Sequence, residues 1–333
     1  MIDFMPGPIA FSLGPLTIFW YGVCYALGLV AVWLVMSTEA RRHGLDLGTL
    51  ANGMIIVAIA ALIGGRLYHV IDQWQLYAGN PMSIVLPPYS GLGAPGGLLL
   101  GTLAGVLYAR YKRQSVALWA DVGALGILAM QAVARWGNFF NQELYGPPTN
   151  LPWGIAIDCA HRTPEYPCSA AELLTGSTTH FHPLFLYESV SGIIGLIVLI
   201  WIARRFPSKL IPGDIALLVF TWYAATRFFL EPLRSNNWTF FGVPTASILM
   251  AAIMAVCVGL IVVRHARRRG AAGEVAMEPD GDGGTAATAE EPAEDAVPKA
   301  GEQADVPVPI PDDAADAMPA ADDVADRMPA SAP

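Results

Sequence analysis

Seven apolar segments, each near the length of a bilayer's hydrocarbon core, limit what this chain can fold into. Crossing that core as a helix takes about 20 predominantly apolar residues. Segments of that kind run roughly over 16–37, 50–71, 94–111, 116–136, 184–204, 213–231 and 244–264. The third and fourth are separated only by Arg110-Tyr111-Lys112-Arg113-Gln114, which reads as a tight turn. The loops alternate in charge. Arg41 and Arg42 follow the first span, Arg110, Lys112 and Arg113 the third, Arg204, Arg205 and Lys209 the fifth, and Arg264, Arg267, Arg268 and Arg269 the seventh. The other loops hold only Arg162 and Arg234. Basic loops stay cytoplasmic, so the N-terminus and the long 137–183 segment are expected outside and the C-terminus inside. The first apolar run has no charged n-region and leads into Glu39-Ala40-Arg41-Arg42, which predicts a retained anchor rather than a cleaved signal peptide.

The net charge of -9 averages two unlike parts. From Ala271 onward there are sixteen Asp/Glu against two Lys/Arg, and before it twelve against seventeen. The tail has no aromatics and is rich in Ala, Pro, Asp and Glu. Too little apolar surface is available there to offset ordering entropy. The expected architecture is therefore an all-α integral membrane protein: seven transmembrane helices around a central polar cavity over 1–269, a small extracytoplasmic head at about 140–183, and a disordered acidic cytoplasmic tail over 270–333. Trp20, Tyr21, Trp74, Tyr77, Trp136 and Trp238 fall near outer span ends, as in an interfacial aromatic belt. The repeat Gly97-x-x-x-Gly101-x-x-x-Gly105 makes a smooth ridge for close helix packing.

Charges inside spans need reasons, since each costs roughly 2.5–3.5 kcal/mol on insertion scales. Asp121, near the cytoplasmic start of span four, reads as a helix N-terminal acid. The others share one depth. Arg66, Arg135, Arg227 and Glu231 end outward-running spans, and Glu188 opens an inward-running one. Tyr223, Arg227, Glu231 and Arg234 recur at helical spacing and form one polar stripe, which belongs against the bundle interior. Guanidinium groups match phosphate oxygens, so the cluster points to a phospholipid headgroup. These residues alone leave a lipid transferase, a phospholipid transporter or flippase, and a seven-span receptor open, although no internal repeat of the transporter kind is visible.

Span four runs into Ala134-Arg135-Trp136-Gly137-Asn138-Phe139-Phe140-Asn141-Gln142-Glu143-Leu144-Tyr145-Gly146. This resembles the signature of the prolipoprotein diacylglyceryl transferase family, Gly-Arg-x-Gly-Asn-Phe-x-Asn-x-Glu-x-x-Gly, with only the first glycine changed. Further landmarks follow the family order: Trp20-Tyr21-Gly22, Gly64-Gly65-Arg66, Gly96-Gly97, His182-Pro183-Leu184-Phe185-Leu186-Tyr187-Glu188, and the Tyr223 to Arg234 stripe. The resemblance covers roughly 8–265. It implies seven spans and transfer of the diacylglyceryl group of phosphatidylglycerol to the lipobox cysteine thiol of a prolipoprotein signal peptide, with release of glycerol phosphate. It implies membrane lipid as a partner, and no cofactor, metal or nucleic acid. Arg135, Arg227, Glu143, Asn138 and Tyr21 would carry the chemistry. Arg135, Gly137, Asn138, Arg66, Tyr223, Glu231, Arg234, Gly96 and Gly97 would bind substrate.

One position departs. Many relatives carry a histidine before the paired glycines of span three, discussed as the base, where this chain has Pro95. Its absence, the composition and the long tail fit the high-GC Gram-positive branch. His69, His182 and Glu143 are the remaining candidate bases, beside a fourth reading in which the arginine field itself lowers the thiol pKa. Cys159 and Cys168 lie in the outward segment, where an oxidising compartment permits either a disulfide or free thiols; a zinc site with His161 lacks metal-ligand spacing. Cys24 and Cys257 read as packing residues.

Overall fold

The computed structural model describes residues 1–14, 16–84, 91–234, 239–240 and 242–275. The tail beyond residue 275 and Trp238, both subjects of sequence expectations, lie outside the described residues. The chain opens with a hairpin of β1 (Ile9–Leu13) and β2 (Leu16–Phe19). It continues through α1 (Trp20–Arg42), α2 (Leu47–Asp72), the short α3 (Trp74–Tyr77), α4 (Ala94–Tyr111) and α5 (Val116–Ala134). Arg135, itself in right-handed helical conformation, joins α5 to α6 (Trp136–Phe140). The head follows with β3 (Ile155–Ala156), α7 (Ala170–Thr175) and β4 (His180–Phe181), then α8 (Leu184–Arg205), α9 (Asp214–Leu230), a small hairpin of β5 (Thr239–Phe240) and β6 (Val243–Pro244), and α10 (Thr245–Val275).

Among the described residues five helices are long and apolar enough to cross a membrane: Trp20–Arg42, Leu47–Asp72, Val116–Phe140, Leu184–Arg205 and Thr245–Gly270. The protein is thus a mostly helical, multi-pass membrane protein. The two other predicted spans coincide with α4, 18 residues long and rich in glycine, and α9, 17 residues long.

Burial shows which helix is central. Half of the apolar window of Val116–Phe140 is buried, against 11% for those in α1, α2 and α10. Ala124, Leu125 and Leu128 of α5 meet Leu199 and Ala203 of α8 and Ile215, Ala216 and Val219 of α9 in the main core. Missing side chains permit the closest approaches. A Cβ on Gly192 would stand 3.1 Å from the Leu128 carbonyl oxygen, so α8 lies directly on the α5 backbone. Gly64 and Gly96 face each other so closely that a Cβ on either would collide with the other's carbonyl oxygen. The Gly93 N–H also donates to the Gly65 carbonyl at 2.8 Å, joining the start of α4 to α2 by main chain alone. The ridge of Gly97, Gly101 and Gly105 continues this contact against Ala61 and Val57.

Asp121 is indeed a helix N-terminal acid, but for a different helix. It is buried and accepts the N–H groups of Gly213 at 2.6 Å and Ala216 at 2.8 Å, capping α9 from α5. Its position early in α5 suggested its own helix dipole, and sequence cannot show a partner 92 residues away.

The head has its own small core of Tyr145, Ile155, Ile157, Phe181 and Phe185. The N-terminus joins it, with Ile2 N–H donating to the Gly154 carbonyl at 2.8 Å. Cys159 and Cys168 are bonded, with Cα atoms 5.5 Å apart. His161 pairs with Asp158 at 2.8 Å instead of the sulfurs. Glu172 accepts from the Thr179 hydroxyl, from Ser169 N–H at 2.9 Å and from Arg162 at 3.2 Å. These donors hold its carboxyl down to about 2, the Thr179 hydroxyl contributing most.

Two outcomes are expected. Asp121→Ala leaves two helix N–H groups without a partner and should cost about 2–4 kcal/mol, with Asp121→Asn near 1 kcal/mol, measured by thermal unfolding in detergent. Glu172 stabilises the head above its unfolded value of 4.5, and that contribution is lost as pH falls toward about 2. Head stability, read by near-UV circular dichroism, should drop across that window, and Glu172→Gln should flatten that part of the profile.

Candidate functional site

Helix packing brings the predicted arginines together. At the junction of α5 and α8, Gln131 Nε2 donates to the Glu188 carbonyl at 3.1 Å and Ser189 Oγ donates to the Ala132 carbonyl at 2.6 Å. One turn beyond Gln131, Arg135 keeps helical backbone angles and its side chain reaches Glu188 of α8. Its Nε lies 2.6 Å from Glu188 Oε2. From α9, Arg227 Nη1 lies 3.5 Å from Glu188 Oε1 and its Nη2 2.8 Å from Glu231 Oε2. Arg234 Nη2 lies 2.7 Å from Glu188 Oε1, and its Nε 3.9 Å from Glu231. The Glu188 side chain is 0% exposed. Three guanidiniums thus share two buried carboxylates, and one positive charge is left over.

The polar stripe is not one continuous helix. Pro232 ends α9, and a 3-10 turn over Glu231–Leu233 carries Arg234, whose N–H donates to the Glu231 carbonyl at 3.0 Å. The tightened turn still delivers Arg234 to the face that Arg227 occupies. Tyr223 sits half-buried one turn before Arg227.

The signature segment shapes the other wall. Gly137 opens the way for α1, since a Cβ there would stand 3.0 Å from the Tyr21 ring. Tyr21 stacks on Tyr25 and donates to its hydroxyl at 3.0 Å, within electrostatic reach of both Glu143 and Arg135. Buried Asn138 donates to Glu143 at 2.7 Å, and Asn141 to the same oxygen at 3.4 Å. Glu143 is itself exposed, between Gln142 and Leu144, which both adopt left-handed backbone with φ of 51° and 60°. Such strain persists where the surroundings fix it and concentrates at functional sites. Gln142 is fixed by bonds to the Pro6 carbonyl and Asp158, each 3.0 Å. Beside this wall an open groove of about 640 Å³ is lined by Thr17, Phe19, Tyr21, Gly22, Ala26 and Asn141 among others.

Several predicted residues lie elsewhere. Arg66 is not among the partners of Glu188. It donates to the carbonyls of Ser83, Ile84 and Gly91 at 2.9, 3.2 and 3.3 Å and lies 5.1 Å over the Tyr77 ring, holding the loop that follows α3. His69 packs edge-on to Tyr77 and against Gly91 in the same anchor. Gly96 and Gly97 face α2, where packing accounts for their missing side chains. His182 bonds the Tyr187 hydroxyl at 2.9 Å, which also accepts from Trp153 at 2.8 Å. Glu188 was visible in sequence only as one more buried charge. Its role as the meeting point of three arginines needed the fold.

Helices and buried charges together define an integral membrane protein with an arginine-rich site where three of its helices meet. A sequence profile of prolipoprotein diacylglyceryl transferase matches residues 8–264. The chain is 35% identical to the phosphatidylglycerol–prolipoprotein diacylglyceryl transferase of Chloroflexus aggregans, over 83% of this chain and 95% of that protein. It is 41% identical to that of Cutibacterium acnes, over 69% and 75%, and 32% identical to that of Staphylococcus aureus (strain bovine RF122), over 78% and 89%. The chain belongs to the prolipoprotein diacylglyceryl transferase family.

Removing Arg227 takes away the guanidinium 2.8 Å from Glu231 and one of the three around Glu188, while Arg135 and Arg234 stay. Arg227→Ala should lower stability by about 1–3 kcal/mol, and adding Glu231→Gln should restore part of it. Thermal unfolding of the single and double variants measures both; equal unfolding of wild type and Arg227→Ala would contradict the pairing.

Proposed function

We propose that this protein transfers the diacylglyceryl group of phosphatidylglycerol to the lipobox cysteine thiol of prolipoproteins, the first step of lipoprotein maturation. One observation carries the reading from structure to chemistry. Arg135 is held through Nε, and among the described residues neither Nη nitrogen has an acceptor, so a charged fork is open for a phosphate.

The reaction is attack by sulfur on the glyceryl carbon that bears the phosphate ester. The C–S bond forms as the C–O bond breaks, and the bonding pair leaves on the phosphate oxygen of glycerol phosphate. The phosphate gains negative charge in this step, and the Arg135 fork together with the surplus positive charge of the cluster stabilises it. The same field favours the thiolate over a thiol whose ordinary pKa is about 8.5. Glu143 is the acceptor this reading assigns to the thiol proton, because it is exposed beside the groove and aimed by Asn138 and Asn141. His69 packs in the loop anchor and His182 bonds the Tyr187 hydroxyl, so neither is given that role. Tyr21 and Gly137 shape the wall against which the headgroup lies, and Tyr223, Arg227, Glu231 and Arg234 complete the charged floor.

In this reading all seven predicted spans cross the bacterial plasma membrane, with the N-terminus and head outside and the C-terminal tail inside. The alternating basic loops support the orientation. The membrane-embedded region is 1–269 with the head at about 140–183, and the groove beside Tyr21 admits lipid sideways from the outer leaflet.

Transfer of labelled diacylglyceryl from phosphatidylglycerol to a lipobox peptide is the test. Arg135→Ala should lose about 10²–10³ in rate, with Arg135→Lys retaining more because it keeps the charge without the fork. Wild type that transfers no label would sink the function, and undiminished transfer by Arg135→Ala would remove Arg135 from the site.

A further inference from the structure

Glu188 is too buried to touch a substrate, yet it touches every arginine of the cluster. Its carboxylate has 0% exposure, and both oxygens face guanidinium groups, Oε2 toward Arg135 and Oε1 toward Arg227 and Arg234. The atom that it grips on Arg135 matters. A guanidinium presents its two Nη nitrogens as the fork that matches phosphate. A carboxylate bonded to those nitrogens would occupy that fork. Glu188 Oε2 instead forms an ion pair with Nε at 2.6 Å, without hydrogen-bond geometry, on the stem side, and leaves the fork clear. Its own position is fixed through the backbone, by Gln131 on its carbonyl and by Ser189 beside it. A lone carboxylate would also cancel the charge of Arg135. Here Arg227 and Arg234 share Glu188, so the fork keeps its positive character.

From this geometry we infer that Glu188 is the positioning residue that aims the Arg135 fork at the phosphate, while Arg234 pairs closely with Glu188 and Arg227 bridges Glu231 and Glu188. The inference rests on the proposed transferase activity. It differs from a structural role in one respect: Glu188 acts through Arg135 and on the lipid substrate only.

The experiment is steady-state transfer by the full-length protein in phosphatidylglycerol vesicles, comparing wild type, Glu188→Gln, Glu188→Asp, Arg135→Ala and the double variant Glu188→Gln/Arg135→Ala. Misplacing a reactive group by about 1 Å costs on the order of 10²-fold. Glu188→Gln should therefore lower kcat/KM for phosphatidylglycerol about 10²-fold, with a raised KM for lipid and an unchanged KM for peptide. Glu188→Asp should fall between. The double variant should be no more than about threefold worse than Arg135→Ala alone, because residues acting through one another do not add. Losses that multiply, or a lipid KM unmoved in Glu188→Gln, would overturn the inference. If Glu188→Gln does not fold, Glu188→Asp carries the same decision: a rise confined to the lipid KM supports the inference and equal kinetics reject it. Absence of transfer by wild type would instead remove the transferase reading, so the two failures are distinct.

Discussion

Three guanidiniums converging on the Glu188 carboxylate hold the site's architecture in place. A carboxylate taken wholly out of water carries a penalty of several kcal/mol unless it is paired and hydrogen-bonded. Glu188 is paired with guanidiniums from the end of α5 and from the end of α9 and the turn beyond it, and Oε1 accepts a hydrogen bond from Arg234. The pairing therefore fixes the ends of three helices relative to one another. The 3-10 turn before Arg234 and the glycine contact under Gly192 both serve that convergence.

The opposite end of the bundle uses the same device with different residues. Glu39, almost fully buried, joins Arg42 of its own helix at 3.2 Å to Arg204 of α8 at 2.6 Å. Asp214 meets His265 at 2.7 Å and Arg264 at 3.4 Å, tying α10 to the start of α9. Asp121 caps α9 next to this pair. Such ties matter in a membrane protein because apolar side chains gain no hydrophobic free energy by leaving lipid for one another, and packing and polar contacts must hold the helices together.

Much of this was legible in sequence, for reasons that also mark the limits. Span length and hydropathy are local quantities, and the positions of the long helices follow from them. The Tyr223 to Arg234 stripe was legible because helical spacing projects distant residues onto one face, although Pro232 makes its last step a tighter turn. Partner choice is not local. Arg66 shares the depth of Arg135 yet serves loop carbonyls, and depth alone could not separate the two. Asp121 lies early in α5 yet caps a distant helix. Gly96 and Gly97, grouped with the substrate site by resemblance, face α2 in the fold. The Cys159–Cys168 pairing was left open by spacing and is made in the structure.

Backbone contact between α2 and α4 has a mechanical consequence. Side chains that separate most helices can change rotamer and let one helix slide past another when a bilayer thins or thickens. Gly64 and Gly96 offer no such compliance, and Gly93 adds a main-chain hydrogen bond to the lock. Pro95, in the first turn of α4, stiffens the same place. The pair is in effect one doubled strut. Changes in membrane thickness must then be absorbed by the tilt of the strut as a whole, so the bilayer's elasticity acts on α2 and α4 as one body.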